Sequence, residues 1–384
     1  MEDSVMTWKP TKDPLSTATA WTGQDDTAVV LSEKRVLVAG GADAGGKALD
    51  KSAFYAVGTD EWTETLPLTQ ARRLHSMTLL KDDVVLVAGG ISGAATFPSD
   101  GSKKAELYVP KDKKWVGTGE MKVGRWGHSA VVLSDGRVLV TGGRNRRSPQ
   151  SHGALASAEI FKPGDGTWSD AAPMLDARSG HQSILLSNNL VLVIGGSTPV
   201  SGTADAALAY CELYDAVKNT WTATGSLAVP RTGHQAVELS DNTVLVVGGH
   251  SPGGPGDGTY NPFSLQSTEL YTPGSGQWAA GPALPYGRSG HRAVALADKE
   301  ALVAGGTDGA TADIGYPNAL RYKLVNGRPA WESAGQLAAG RFGFAAAAVD
   351  GKVVVIGGVT RSGPAAAEPG KDELTATAEV WSPA

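Results

Sequence analysis

Seven Gly-Gly pairs divide this chain of 384 residues, opening at Gly40, Gly89, Gly142, Gly195, Gly248, Gly305 and Gly357, with intervals of 49 to 57 residues. So regular a recurrence excludes most folds, because each segment has to form one supersecondary unit that buries its faces against its neighbours. The stretch Ala154 to Gly196 shows the unit. Ala-Glu-Ile-Phe reads as a strand, Pro-Gly-Asp-Gly as a turn and Thr-Trp as the start of a second strand. Arg-Ser-Gly-His then leads into a third strand, a Ser-Asn-Asn turn and a fourth strand, LVLVIGG, giving about four strands per unit.

The aromatic residues keep the same register. Tyr55, Tyr108, Phe161, Tyr214 and Tyr271 each precede a Trp by seven residues, and Tyr322 precedes Trp331 by nine. The last unit has Trp381 but no partner after it, while Trp8 stands unmatched near the start. The two ends are expected to complete one unit. With Gly-Gly, Tyr/Trp and Arg-x-Gly-His in one register, the chain resembles the kelch-repeat β-propeller family over nearly its whole length. The expected fold is all-β: one seven-bladed propeller domain over residues 1–384, the last blade closed by an N-terminal strand, which removes an exposed edge.

Composition narrows function without naming it. A net charge of −5 and a pI near 5.8 argue against general nucleic-acid or membrane-surface binding. No apolar run approaches bilayer length. The N-terminus lacks a basic segment followed by an apolar one, and the single cysteine, Cys211, excludes an intramolecular disulfide framework. These features lead us to expect a cytoplasmic, monomeric protein.

Arg72, Arg125, Arg178, Arg231 and Arg288 each stand three residues before a His (His75, His128, His181, His234, His291), and Arg341 stands before Phe344. Counting back from Gly-Gly places Gly23 and Asp26 at the Arg and His positions of blade 1, which leaves a gap in the ring. A His repeated in five of the seven units reads as a structural hydrogen-bonding position, because a metal site needs only three or four ligands at unequal spacing. No metal or cofactor is expected. Glu106, Glu159, Glu212, Glu269 and Glu379 are available as partners for the arginines, and we expect Arg178 to hold Glu159. Blade 6 carries Leu320 at the Glu position, which leaves Arg288 for a ligand.

Departures from the repeat carry the functional reading. Blades 3 and 7 place Trp126 and Phe342 where blades 4 to 6 have Ser179, Thr232 and Ser289. Large apolar groups there suit the walls of a ligand pocket, or a cap on a neighbouring core. Glu238 and Arg292 interrupt small or apolar inner strands, and Glu238 is the candidate acid or base. The variable loops after Gly-Gly share a face with the arginines and are where specificity belongs, with Arg144, Tyr260 and Tyr316 as rim residues.

The family resemblance implies further comparisons. Galactose-oxidase-like enzymes use a Tyr-Cys cross-linked copper site, but Cys211 lies at an ordinary repeat position. The Glu-x3-Asp-x3-His iron motif of specifier proteins is absent. Kelch domains that capture acidic peptides use arginines at inner-strand starts, matched by Arg125, Arg178, Arg231, Arg288 and Arg341. Kelch sugar epimerases pair an acid with an Arg, which Glu238 with Arg288 or Arg292 imitates loosely. The expected function is binding of an anionic, partly apolar small molecule or acidic peptide by Trp126, Phe342, Arg288, Arg125, Arg341, Arg292, Arg144, Tyr260 and Tyr316. The alternative is a cofactor-independent isomerase, lyase or cyclase using the same pocket.

Overall fold

In each repeat the strand before Gly-Gly is a near-continuous run of Val, Leu and Ile, as in RVLVA and LVLVI. Such runs are buried on both faces, so sheets have to pack on both sides of them. The computed structural model, which describes residues 7–23, 27–94, 99–148, 151–200, 205–252, 261–308 and 314–383, shows the arrangement that satisfies this. Seven four-stranded antiparallel sheets form the blades of a ring. Blade 4 is typical: Gln182–Leu185 innermost, then Leu190–Ile194, Cys211–Asp215 and Thr220–Ala223. The core is distributed along the seams. Val29, Leu37 and Phe54 of blade 1 pack on Met77, Val85 and Tyr108 of blade 2, and blades 7 and 1 close the ring through Val354, Ile356, Val36 and Tyr55.

The seven-residue aromatic spacing puts each pair directly opposite across a tight hairpin. Tyr55 faces Trp62 and Tyr214 faces Trp221 in register, with ring centroids 5.1 and 4.8 Å apart. Both glycines of each pair adopt positive φ, for example 60° at Gly142 and 91° at Gly143. A Cβ on Gly142 would lie 2.5 Å from the Arg178 carbonyl and 2.7 Å from the His181 ring, so only glycine lets the next blade approach this closely.

The loops after Gly-Gly are more structured than a simple four-strand unit suggests. Blades 3, 4, 5 and 7 each raise a two-stranded hairpin there: Arg144–Ser148 with Ser151–Ala154, Ser197–Pro199 with Asp205–Ala207, His250–Ser251 with Asn261–Ser264, and Val359–Arg361 with Glu373–Leu374. Among the described residues no helix is long and apolar enough to cross a membrane.

Closure follows the expectation from the unmatched tryptophans. Thr7–Pro10 pairs antiparallel with Ala378–Ser382, with Trp8 opposite Trp381, and the Trp8 indole donates to the Ala334 carbonyl of blade 6 at 3.0 Å. Removing residues 1–10 should therefore lower the melting temperature of the whole ring, and Trp8→Ala alone should cost about 1–3 kcal/mol in urea unfolding. A truncated chain that melts with the intact one would refute closure by this strand.

Candidate functional site

The face bearing the inner-strand starts is organised by one repeated contact beneath its surface. In blade 2 the Arg72 guanidinium donates to the carbonyls of Gly89 (2.7 Å) and Lys104 (3.2 Å) and to Glu106 (2.5 Å). Glu106 in turn accepts the backbone N–H groups of Thr69 and Gln70, in the loop arriving from blade 1. Arg125 with Glu159, Arg178 with Glu212, Arg231 with Glu269 and Arg341 with Glu379 repeat the arrangement. Pairing is thus within a blade, as expected, but the partner of Arg178 is Glu212. Glu159 belongs to Arg125, because the clamp joins the loop before an inner strand to the third strand of the same sheet.

These arginines are 0 or 1% exposed. Arg125 and Arg341, read from sequence as ligand contacts, therefore have no surface to offer. The five histidines are also interior: His128 Nε2 meets Ser76 Oγ at 3.0 Å, and His181 Nε2 meets Thr141 Oγ1 at 2.9 Å. Burial, reinforced by the nearby guanidinium groups, pushes the His128 and His234 imidazoles down to about 3 and holds His75, His181 and His291 well below 6.5.

Blade 1 corrects the count from Gly-Gly. Gly358 N–H donates to the Thr19 carbonyl as Gly41 N–H donates to that of Arg72, and Ala20 bridges Ala42 as Arg73 bridges Ile91. Thr19 thus holds the Arg position, and the connection to the inner strand is longer than in other blades. Gly23 lies beyond that position, and Asp26 falls outside the described residues. Trp21 fills the gap expected at the His position: its ring lies 3.1 Å from where a Cβ on Gly357 would be, as His181 does over Gly142.

A backbone collar in two arcs links successive inner-strand starts. Gly127 N–H donates to Leu74 O, Gly180 to Gly127, Gly343 to Gly290 and Trp21 to Gly343. Leu74 takes the place of glycine at φ 56°, a conformation that strains a residue with a Cβ. Beside it lies a cavity of about 300 Å³ lined by Trp21, Thr22, Arg73, Leu74, Phe342, Asp43 and Asp372 among others. Phe342 is 5% exposed and leans on Ala20, Val359 and Leu374, so it is both pocket wall and satellite core. The half-buried Arg73 side chain has no hydrogen-bond or ion-pair partner among the described residues, and its Nε is a buried donor without an acceptor. Burial alone lowers its pKa. Arg73 and Leu74 were overlooked in sequence, although Arg73 occupies the same position as Trp126 and Phe342.

Arg288 and Tyr316 do come together, the guanidinium lying 5.7 Å from the ring centroid. Arg288 has no carboxylate partner among the described residues. It donates to Gly305 O (2.8 Å) and contacts Asn318 Oδ1 at 3.3 Å. Pro285 stands where other blades supply a backbone N–H to their Glu, so the loss of the donor matches the loss of the acceptor at Leu320. Burial pushes Arg288 down to about 10. It is 0% exposed, beneath a cleft of about 490 Å³ lined by Tyr286, Tyr316, Asp308 and Ser264 among others.

The other site candidates separate. Arg144 is buried and fully engaged, donating to Ser179 Oγ (2.7 Å) and Ser197 Oγ (3.2 Å), pairing with Asp205 and meeting His152 Nε2 at 2.6 Å. Trp126 lies over it, 5.8 Å from ring centroid to guanidinium, in a cluster distinct from that of Phe342. Arg292 donates to Phe344 O (2.7 Å) and Trp21 O (3.3 Å), tying blade 6 to blades 7 and 1. Glu238 ends its inner strand whereas Arg292 begins the neighbouring one, about 10 Å away along the strands, so no acid–arginine pair forms. Burial raises the Glu238 carboxyl, partly offset by the Ser187 N–H. Tyr260 lies outside the described residues.

Comparison with known proteins agrees with this geometry. A family model described as the KLHDC2/KLHL20/DRC7 kelch-repeats domain matches residues 127–358. The chain belongs to the kelch-repeat family. It is similar to human Kelch-like protein 23, 28% identical over 250 residues, covering 65% of this chain and 40% of that protein. Spermatocyte protein spe-26 of Caenorhabditis elegans is 27% identical over 280 residues, covering 71% of this chain and 44% of that protein. This kelch chain therefore spans less than half of these relatives. Among solved structures, a fungal alcohol oxidase of the AA5 family in complex with copper superposes with TM-score 0.73 at 18% identity, covering 99% of this chain and 77% of that one. The structure of YjhT gives 0.62 at 15% identity, covering 84% and 99%. At these identities the likeness is one of fold.

Two stability outcomes follow from the framework. Arg178→Met leaves Glu212 buried without its cation and should cost about 3–5 kcal/mol, whereas Arg288→Met strands no carboxylate and should cost at least about 2 kcal/mol less; urea titrations that find the two equal would refute the clamp as the source. The five histidines should make the ring acid-sensitive. Unfolded imidazoles titrate near 6.5 and the folded ones lower, so stability is full above about pH 6.5 and falls as pH drops toward 3, by up to about 1.4 kcal/mol per pH unit for each His. His234→Phe, imitating Phe344, should shallow that slope; unfolding midpoints between pH 7 and pH 4 measure it.

Proposed function

We propose that this kelch propeller is a binding module that takes a ligand with one carboxylate and an apolar portion, a small molecule or an acidic peptide side chain, in the cavity at the channel mouth. Kelch propellers are generally interaction modules, which supports the broad class. Arg73 carries the finer reading: a half-buried guanidinium with no acceptor among the described residues, beside Trp21, Leu74 and Phe342. A buried donor without an acceptor is costly, and a planar guanidinium matches a carboxylate with two parallel hydrogen bonds. Apolar walls with a few polar anchors are what a ligand pocket requires.

The surroundings limit the ligand's charge. Asp43 Oδ1 accepts the N–H groups of Gly45 and Lys47, both at 2.9 Å, and Asp372 lines the same cavity. Two carboxylates beside one guanidinium disfavour a polyanion. Trp126, Arg144, Tyr316 and buried Arg288 form the more distant rim of this face, and a cytoplasmic, monomeric protein remains part of the proposal.

The test is titration of the full chain with short capped peptides, each carrying a single Glu beside an apolar residue, followed by Trp fluorescence. Arg73→Ala should weaken binding by about tenfold or more while leaving the melting temperature unchanged, and Gln in place of the peptide Glu should do the same. If the panel binds equally well to Arg73→Ala, or not at all to the native chain, the reading fails.

A further inference from the structure

Blade 1 lacks both halves of the clamp but keeps the backbone that receives it. In the six other blades one guanidinium nitrogen bridges the carbonyl of the first glycine and that of a residue in the third-strand approach, as Arg125 does with Gly142 O (2.7 Å) and Ser157 O (2.9 Å) and Arg341 with Gly357 O (3.0 Å) and Thr377 O (2.7 Å). The corresponding carbonyls in blade 1 belong to Gly40 and Lys51. Their backbone is in the same register, since Gly40 N–H donates to Lys51 O at 2.8 Å as Gly142 N–H does to Ser157 O at 3.1 Å. The side chains differ: Thr19 stands for the arginine and Ala53 for the glutamate.

The volume given up by those truncations forms a cavity of about 110 Å³ lined by Thr19, Gly40, Lys51, Ala53, Glu64 and Thr65 among others. That is well above the roughly 10–15 Å³ that admits one water. Among the described residues nothing donates to the Gly40 carbonyl, an uncommon state for a buried backbone acceptor. Ser16 and Glu64 are exposed at the rim, so the cavity opens to the side of the ring. Glu64 is paired directly opposite Ala53, so a carboxylate remains available one strand further out.

We propose that this cavity is a binding socket for an alkylguanidinium group, supplied by a small molecule or by an arginine side chain of a partner polypeptide. Two backbone carbonyls in its lining sit where the fold elsewhere holds a planar fork of N–H donors, and the Glu64 carboxylate stands at its exposed rim. That planar geometry selects a guanidinium over a compact ammonium ion. The site lies in blade 1; Trp21 lines both this cavity and that at the channel mouth, but Arg73 is no part of it and it does not depend on the anion-binding reading.

Calorimetric titration of the full chain with methylguanidinium, methylammonium and a capped Arg-containing peptide tests the proposal. Methylguanidinium should bind, with methylammonium weaker by roughly tenfold. Ala53→Glu, which restores the carboxylate of the other blades, should tighten binding by roughly tenfold, and Glu64→Gln, which leaves packing intact, should weaken it. Thr19→Arg combined with Ala53→Glu should fill the socket, abolish binding and raise the melting temperature. Binding of the peptide as well points to a partner's arginine, and binding of methylguanidinium alone to a small molecule; either supports the socket. Failure of methylguanidinium to bind both the native chain and Ala53→Glu overturns it, as does equal binding of methylammonium or undiminished binding to the filled double variant.

Discussion

The ring is held by a guanidinium taken completely out of water. Five times, an arginine beneath the upper face satisfies two backbone carbonyls and a glutamate, and the same glutamate satisfies backbone N–H groups of the loop from the preceding blade. Burying a charge this deeply is tolerated only when geometry and hydrogen bonding are nearly complete. The clamp therefore fixes the loop conformation that aims each inner strand at the channel. Apolar seams supply most of the burial, but an apolar seam alone tolerates sliding; the clamp sets where one blade meets the next.

That stringency explains how the chain departs from its own pattern. Losing one partner of a buried pair is far worse than losing both. Blade 1 loses both, as Thr19 and Ala53. Blade 6 replaces the glutamate with Leu320 and, in the same step, places Pro285 where the loop N–H would have needed it. What remains there is a cation, and it is accommodated by Asn318 and the face of Tyr316, since ring quadrupoles stabilise a desolvated guanidinium. Blade 6 is a closed solution to the same constraint, whereas blade 1 strands no charge but leaves the Gly40 carbonyl without a donor among the described residues.

Much of this was legible in the sequence because strict local geometry leaves a strict spacing. A seven-residue interval across a tight hairpin can only place Tyr214 opposite Trp221, and two orphan tryptophans at the ends can only pair if the ends share a blade. The rest was not legible where loop length varies from blade to blade. Counting back from Gly40 reached Gly23 and Asp26, but the longer connection moves the arginine position to Thr19 and brings Trp21 over Gly357. Partner assignment failed similarly: Glu159 lies nearer in sequence to Arg178 than to Arg125, and only sheet order shows that the more distant arginine shares its blade. Arg73 escaped notice because an arginine beside an arginine looks like more of the same, whereas one turns inward and the side chain of the other has no partner among the described residues.

The functional consequence is that counting arginines on a kelch face overstates its positive charge. Six of them are interior and compensated by carbonyls, carboxylates or an aromatic ring, and Arg144 and Arg292 staple neighbouring blades together. Arg73, whose side chain has no partner among the described residues, stands at the edge of a collar strained at Leu74 and beside Trp21 and Phe342. The hairpins of blades 3, 4 and 5 lean on one another through Arg144 with Asp205 and through Ala207 N–H with Pro252 O at 2.9 Å. The proposed ligand site falls on the side of blades 7, 1 and 2, where the repeat is least regular. Regularity builds the ring, and the proposed site lies where the regularity lapses.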